Sequence, residues 1–161
     1  MKWYILKSLN FNFLFHIKRK QFYMIRKGST VNVHYVGKLS DGVVFDSSEG
    51  KEPLQFQVGS GQIIPGFEEA LIGKKTGDKI TINIQPEFAY GHVREELIVK
   101  VPIDKMPGKV EVGQYLHAVG FNNQTVPVLV KEISEDHVVV DGNHPLAGKE
   151  LTFDIEIISV N

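Results

Sequence analysis

The stretch VNVHYVGKLSDGVVFDSS, residues 31–48, sets the character of the fold. From Thr30 the side chains alternate, with Val31, Val33 and Tyr35 on one face and Thr30, Asn32 and His34 on the other. A period of two is what a strand with one wet side requires. His34 is therefore expected to face solvent or a neighbouring strand. Asp41-Gly42 stands between two such runs, which is a strong hairpin signal.

Working outward, PLQFQVGSGQ (residues 53–62) reads as another short strand ending in glycines, and IIPGFEEALIGKKTGD (63–78) as a short helix. Pro65 suits the first helical position, Glu68 and Glu69 sit near the positive end, and Gly73 suits the stop. Alternation resumes through Ile80, Ile82 and Ile84, and again through Leu151, Phe153, Ile155 and Ile157. Residues 85–150, between those two strands, carry apolar runs of their own: YLHAVGF, TVPVLVKEI and HVVVDG, separated by NNQ (122–124) and SEDH (134–137). Structureless loops much beyond ~12–15 residues are uncommon in compact proteins, so this interval is expected to be an inserted domain. The expected class is α+β, mainly antiparallel β with one short helix.

The composition, 42% hydrophobic and 23% charged with a net charge of -1, is that of an ordinary globular protein and argues against a broad basic surface for nucleic acid. There are no cysteines, which removes disulfide frameworks, thiolate nucleophiles and cysteine-based zinc sites, and leaves a reducing compartment unopposed. The opening MKWYILKSLNFNFLFHIKRKQFY, residues 1–23, differs in character from the rest of the chain. Lys7, Asn10 and Asn12 interrupt its apolar run and Lys18-Arg19-Lys20 comes last, unlike a secretory signal, and it is too short and polar to span a bilayer. It reads as a membrane-surface helix, a signal anchor, or an upstream stretch with Met24 the working start; the third is the expectation.

No nucleophile elbow, phosphate loop or metal-protease pair is present, and VGSGQ (58–62) lacks the full spacing of a phosphate cradle. The six histidines are scattered singly, without the i, i+3 or i, i+4 spacing of helical metal ligands. His144, in NHPLAGKELTFDI (143–155), is read as a loop residue at the seam where the inserted segment ends. Pro145 biases it toward extended backbone, and Gly148 allows the bend of a return crossing. What accumulates instead is an apolar, aromatic set on β-structure: Tyr35, Phe45, Phe56, Ile63, Ile64, Phe67, Tyr90 and Phe153, with Asp46 beside Phe45. Each alone is consistent with plain core; together they are the material of a pocket.

VNVHYVGKLSDGVVFDSS, IIPGFEEALIGKKTGDK, PEFAYG and LTFDIEI resemble, in order and residue type, the successive blocks of the FKBP-type peptidyl-prolyl isomerases. The segment between the Ala-Tyr-Gly block and the last strand is similar to the insert-in-flap domain of the SlyD-like branch. The resemblance covers residues 24–161. It implies a curved sheet wrapped on the helix, with an isomerase domain of residues 24–96 and 142–161 and a chaperone domain of residues 97–141.

It further implies that Tyr35, Phe45, Asp46, Phe56, Ile63, Ile64, Phe67, Tyr90 and Phe153 form a prolyl pocket. Phe67 stands where many members have Trp, which implies a smaller aromatic floor. The Ile64 N–H would receive a substrate carbonyl, the Tyr90 hydroxyl would be a further donor, and Asp46 would orient the pocket. Tyr115, Leu116, Val128 and Leu129 would offer an apolar groove to unfolded chains. The expected partners are unfolded or nascent proline-containing polypeptides, without nucleic acid or stable membrane insertion. The protein is expected to be a cytoplasmic monomer that uses no cofactor and no metal, since the His- and Cys-rich tail of many SlyD-like proteins does not follow Asn161. The competing expectation is a holdase or binding module with a weak isomerase pocket.

Overall fold

The computed structural model describes residues 24–119 and 123–161; the leader of residues 1–23, and part of the NNQ turn, lie outside the described residues. In chain order the elements are β1 (Thr30–Leu39), β2 (Val44–Ser47), β3 (Leu54–Gln57), α1 (Pro65–Leu71), β4 (Lys79–Ile84), β5 (Ile98–Pro102), β6 (Tyr115–Val119), β7 (Thr125–Ile133), β8 (His137–Asp141) and β9 (Leu151–Val160). The protein is α+β, with all of its described strand pairs antiparallel. No helix of the described residues is long and apolar enough to cross a membrane.

The first sheet has the order β2-β1-β9-β4. β1 and β9 form its spine, paired from Val31↔Val160 to Leu39↔Leu151 with an irregularity between Asn32 and Val33. β2 and β3 divide the other edge of β1, β3 pairing with Thr30–Val33 and β2 with residues 36–38. The Asp-Gly signal produces the turn into β2: Gly42 takes φ +85°, and the Asp41 carboxylate accepts the Val43 N–H at 3.0 Å.

Alternation then decides what is dry. In β9, Leu151, Phe153, Ile155 and Ile157 are buried, while the residues between them are half-exposed. The seven-residue α1 begins at Pro65 and presses Phe67 and Leu71 into the same core; Leu71 is fully buried. Each such side chain contributes about 1.5–3 kcal/mol by leaving water. A helix this short has little intrinsic stability, so its packed face holds it in place.

On the opposite, wet face the Asp154 carboxylate accepts from Lys38 Nζ at 2.7 Å and from Thr81 Oγ1 at 2.6 Å, tying together β1, β9 and β4. These bonds, that to Lys38 first, hold its pKa below the ordinary carboxylate value. His34 also lies on this face, its Nδ1 3.0 Å from Ser48 Oγ.

Residues 98–141 make a second sheet, of order β5-β8-β7-β6, with a core of Val128, Val130, Val138 and Val140. The turn expected at SEDH is present, closed by Ser134 N–H donating to the His137 carbonyl at 2.8 Å. β5 has no counterpart among the strands expected from sequence. It is an edge strand of five residues ending in Pro102, where a missing N–H costs no ladder bond.

Gly37 sits in mid-strand, opposite both Asp46 and Phe153. A Cβ placed there would lie 2.7 Å from the Phe45 ring and 2.9 Å from the Phe153 ring, so the glycine lets the two rings close over β1. Gly37→Ala should therefore destabilise the fold by about 1–3 kcal/mol through overpacking. The checks are chemical denaturation and a weakened near-ultraviolet aromatic signal; an unchanged midpoint would show that the rings give way freely.

Candidate functional site

Five of the aromatic residues singled out from sequence, Tyr35, Phe45, Phe56, Phe67 and Phe153, converge where β1, β2, β3 and β9 meet α1, while the ring contact of Tyr90 is with His144. Phe67 and Phe153 stand edge-to-face, with centroids 5.1 Å apart at 89°. Phe45 meets Phe153 at 5.7 Å and 90°, Tyr35 meets Phe67 at 6.1 Å and 86°, and Phe56 meets Phe67 at 6.0 Å. Such edge contacts set the positive rim of one ring against the negative face of the next. Phe56, Phe67 and Phe153 are buried and form a floor; Tyr35, Phe45, Ile63 and Ile64 are partly open above it.

Polar groups ring this dry patch. The Tyr35 hydroxyl donates to Asp46 Oδ2 at 2.6 Å, while the Ser47 N–H donates to Asp46 Oδ1 at 2.8 Å, so the carboxylate is fixed by two donors. Burial first, then the bond to Asp46 and its negative charge, with a smaller push from Tyr90, raise the Tyr35 phenol from 10.0 to about 12. Tyr35 is thus neutral at any ordinary pH, with its proton committed to Asp46.

Two donors are unspent among the described residues. Ile64 precedes α1, where first-turn N–H groups lack helical partners. Its carbonyl accepts from Phe67 and Glu68, but its own N–H donates to no atom of the described residues. The hydroxyl of Tyr90, a residue 40% exposed, likewise bonds to none of them. Tyr90 follows a 3-10 turn at Pro86–Phe88, and Gly91 turns the chain away at φ +75°.

The Tyr90 ring stacks on His144, with centroids 3.9 Å apart and planes 3° from parallel. His144 is the loop residue expected, and the loop lays its ring on Tyr90. The return crossing brings it to a partner far away in the chain, and no local signal in the sequence carries that information. Gly37 is the other residue missed; a glycine inside a strand pattern is the signal that marks such a close approach.

The four residues expected to form a groove on the second sheet divide between its faces. Tyr115 pairs with Leu129 and Leu116 with Val128. Val128 is buried and Leu116 packs against the same core, so neither lines an open groove with the other two. Tyr115, 54% exposed, and the half-exposed Leu129 lie on the opposite face. Strand alternation requires this division.

A cavity of about 590 Å³ lies elsewhere, on the wet face of the first sheet against His34, Val36, Thr81, Asp154 and Glu156. It shares the sheet with the aromatic cluster but opens away from it. Among the described residues no three His, Asp or Glu side chains are grouped to hold a metal.

The sequence profile of the FKBP-type peptidyl-prolyl cis-trans isomerases matches residues 23–158, and the chain belongs to that family. Among individual relatives, it is similar to the FKBP-type peptidyl-prolyl cis-trans isomerase SlyD of Vibrio cholerae, 41% identical over 138 residues that cover 84% of this chain and 68% of that protein. The SlyD of Treponema pallidum is 40% identical over 132 residues, 81% of this chain and 74% of that protein. That of Escherichia coli is 36% identical over 137 residues, 84% and 70% respectively.

The Tyr35 geometry has a direct consequence. A phenol whose folded pKa is raised adds stability that is fully present below its unfolded value of 10.0 and is lost as pH rises through about 12. In a titration followed by NMR of labelled tyrosine, Tyr35 should ionise last, near 12, and Asp46→Ala should lower its midpoint while leaving it above that of an exposed tyrosine. A midpoint unmoved by the substitution would mean that the bond to Asp46 does not form.

Proposed function

We propose that the aromatic cluster with Asp46, Ile64 and Tyr90 is the site at which this peptidyl-prolyl cis-trans isomerase acts on X-Pro bonds of polypeptides, and that the second sheet holds the chain being acted on. The barrier to be lowered is about 18–20 kcal/mol, because twisting the amide breaks its conjugation. Uncatalysed, the bond turns over in tens to hundreds of seconds, slowly enough to limit folding.

No covalent step is required. The floor of Phe56, Phe67 and Phe153 takes the proline ring out of water. A twisted amide is less polar than a planar one, so a dry wall favours it. The Ile64 N–H receives a flanking carbonyl and the Tyr90 hydroxyl supplies a second donor, while Asp46, held by Tyr35 and Ser47, keeps the rim in one geometry. The observation that carries this reading is the pairing of a closed aromatic floor with two donors that have no partner among the described residues. A donor left open at the rim of an apolar patch is available to a ligand, and a ligand that covers it without accepting its hydrogen bond loses affinity.

For the second sheet, support comes from its outer face. Tyr115 and Val119 are exposed, Leu129 lies beside Tyr115, and β6 ends the sheet. An apolar face next to an open strand edge suits an extended, unfolded chain. Holding that chain raises the concentration of its prolines at the neighbouring pocket. The proposal treats residues 97–141 as a domain inserted into an isomerase domain of residues 24–96 and 142–161, and the protein as a monomer in the reducing cytoplasm, which the absence of cysteine suits.

Two variants test the two halves separately. Tyr90→Phe combined with Asp46→Asn should lower kcat/KM on a short prolyl peptide roughly tenfold or more, the scale of one or two lost hydrogen bonds. A wild-type rate would leave only chain binding. Tyr115→Ser with Leu129→Ser should leave the peptide rate unchanged but slow assisted refolding of a proline-limited protein about tenfold. Equal refolding rates would remove the second sheet from the mechanism.

A further inference from the structure

His144 is exposed and belongs to neither core, yet every bond around it restrains it. The outgoing crossing (residues 91–97) and the return crossing (142–148) are pinned together. Gly142 N–H donates to the Leu97 carbonyl at 2.9 Å, and Gly148 N–H to the Gly91 carbonyl at 2.8 Å. Between them, Arg94 N–H donates to Asn143 Oδ1 at 2.8 Å and Asn143 Nδ2 donates back to the Arg94 carbonyl at 3.0 Å. Asn143 is held in turn by Asp141 Oδ1 at 2.8 Å. On the far side of His144, Ala147 N–H donates to its carbonyl at 2.9 Å, and Leu146 N–H donates to its Nδ1 at 3.1 Å. The second bond requires a lone pair on Nδ1 and so places the ring proton on Nε2.

The imidazole is thus fixed in plane by a backbone donor, and its face lies on the Tyr90 ring. Tyr90 needs such a partner. It is 40% exposed, its hydroxyl bonds to no described atom, and the next residue is a glycine in left-handed backbone, so little else selects its rotamer. A donor serves a transition state only if it is held in place beforehand.

We propose that His144 is the positioning residue for Tyr90: by stacking on the phenol ring from the return crossing, it aims the hydroxyl at the twisted prolyl amide. The inference rests on the reading that Tyr90 serves the pocket. It also means that the crossing that returns from the second sheet sets the geometry of the isomerase site through one side chain.

The stack and the turn separate chemically. Phenylalanine at position 144 keeps a stacking face but has no acceptor for the Leu146 N–H. Asparagine keeps an acceptor, as in an Asx turn, but has no ring. Measured on a short prolyl peptide, His144→Ala should lower kcat about three- to tenfold, the scale of one aromatic pair, with KM little changed. His144→Phe should recover most of that rate and His144→Asn should not. In a Tyr90→Phe background, His144→Ala should cost nothing more. Rescue by asparagine but not by phenylalanine would overturn the inference, because it would make His144 a turn residue. Additive losses in the double variant would overturn it too. If Tyr90→Phe is slow while His144→Ala runs at the wild-type rate, this inference alone fails; a wild-type rate for Tyr90→Phe overturns the pocket reading and this inference with it.

Discussion

The pairing of β1 with β9 is the constraint on which the rest depends. The two strands join residues more than a hundred positions apart, and their register sets Gly37 against Phe153 and Tyr35 against Ile155. A slip of one residue would turn every inward ring outward. Because β9 lies in mid-sheet, with β4 on its other side, the chain must leave after β4, build whatever lies between, and return in register. The second sheet is therefore tethered at both ends beside the site. Its two crossings are bonded from Gly91–Gly148 to Leu97–Gly142, which makes the junction a defined element of structure.

The first sheet separates two kinds of chemistry by alternation alone. Its inward face is aliphatic and aromatic, and closes on α1. Its outward face carries the Lys38–Asp154–Thr81 bonds, of which the half-exposed Lys38–Asp154 ion pair contributes about 0–1 kcal/mol. Burial of the inward face does most of the stabilising. The polar groups of the inward rim, Asp46 with Tyr35 and the Ile64 N–H, which has no partner among the described residues, sit where that burial ends. An apolar floor beside placed donors is what a reaction without bond-breaking asks of a protein.

Much of this was legible beforehand. The strands with one wet face, the Asp-Gly hairpin and the helix bounded by Pro65 and Gly73 are written in local pattern, and local pattern was enough. Most of the aromatic set could be named from the sequence, because Tyr35, Phe45, Phe56 and Phe153 sit on recognisable strands and Phe67 on the recognisable helix. What local pattern does not carry is pairing across the chain. The stack of His144 on Tyr90 depends on the return crossing, and the role of Gly37 depends on two rings brought to it from β2 and β9. β5 escaped notice because five residues ending in proline at a sheet edge carry little signal. The division of Tyr115 and Leu129 from Leu116 and Val128 follows from alternation, and grouping the four by hydrophobicity alone concealed it.

The central claim is that a prolyl segment is bound and isomerised over the floor of Phe67 and Phe153 beside Ile64 and Tyr90. NMR of the labelled protein with a short X-Pro peptide tests it most directly, by mapping amide shifts and observing cis–trans exchange of the peptide in the same sample. The account predicts shifts centred on Ile64, Tyr90 and Phe153, together with exchange cross-peaks that are absent from the peptide alone. Shifts confined to β6 and β7, with exchange no faster than in free peptide, would contradict it.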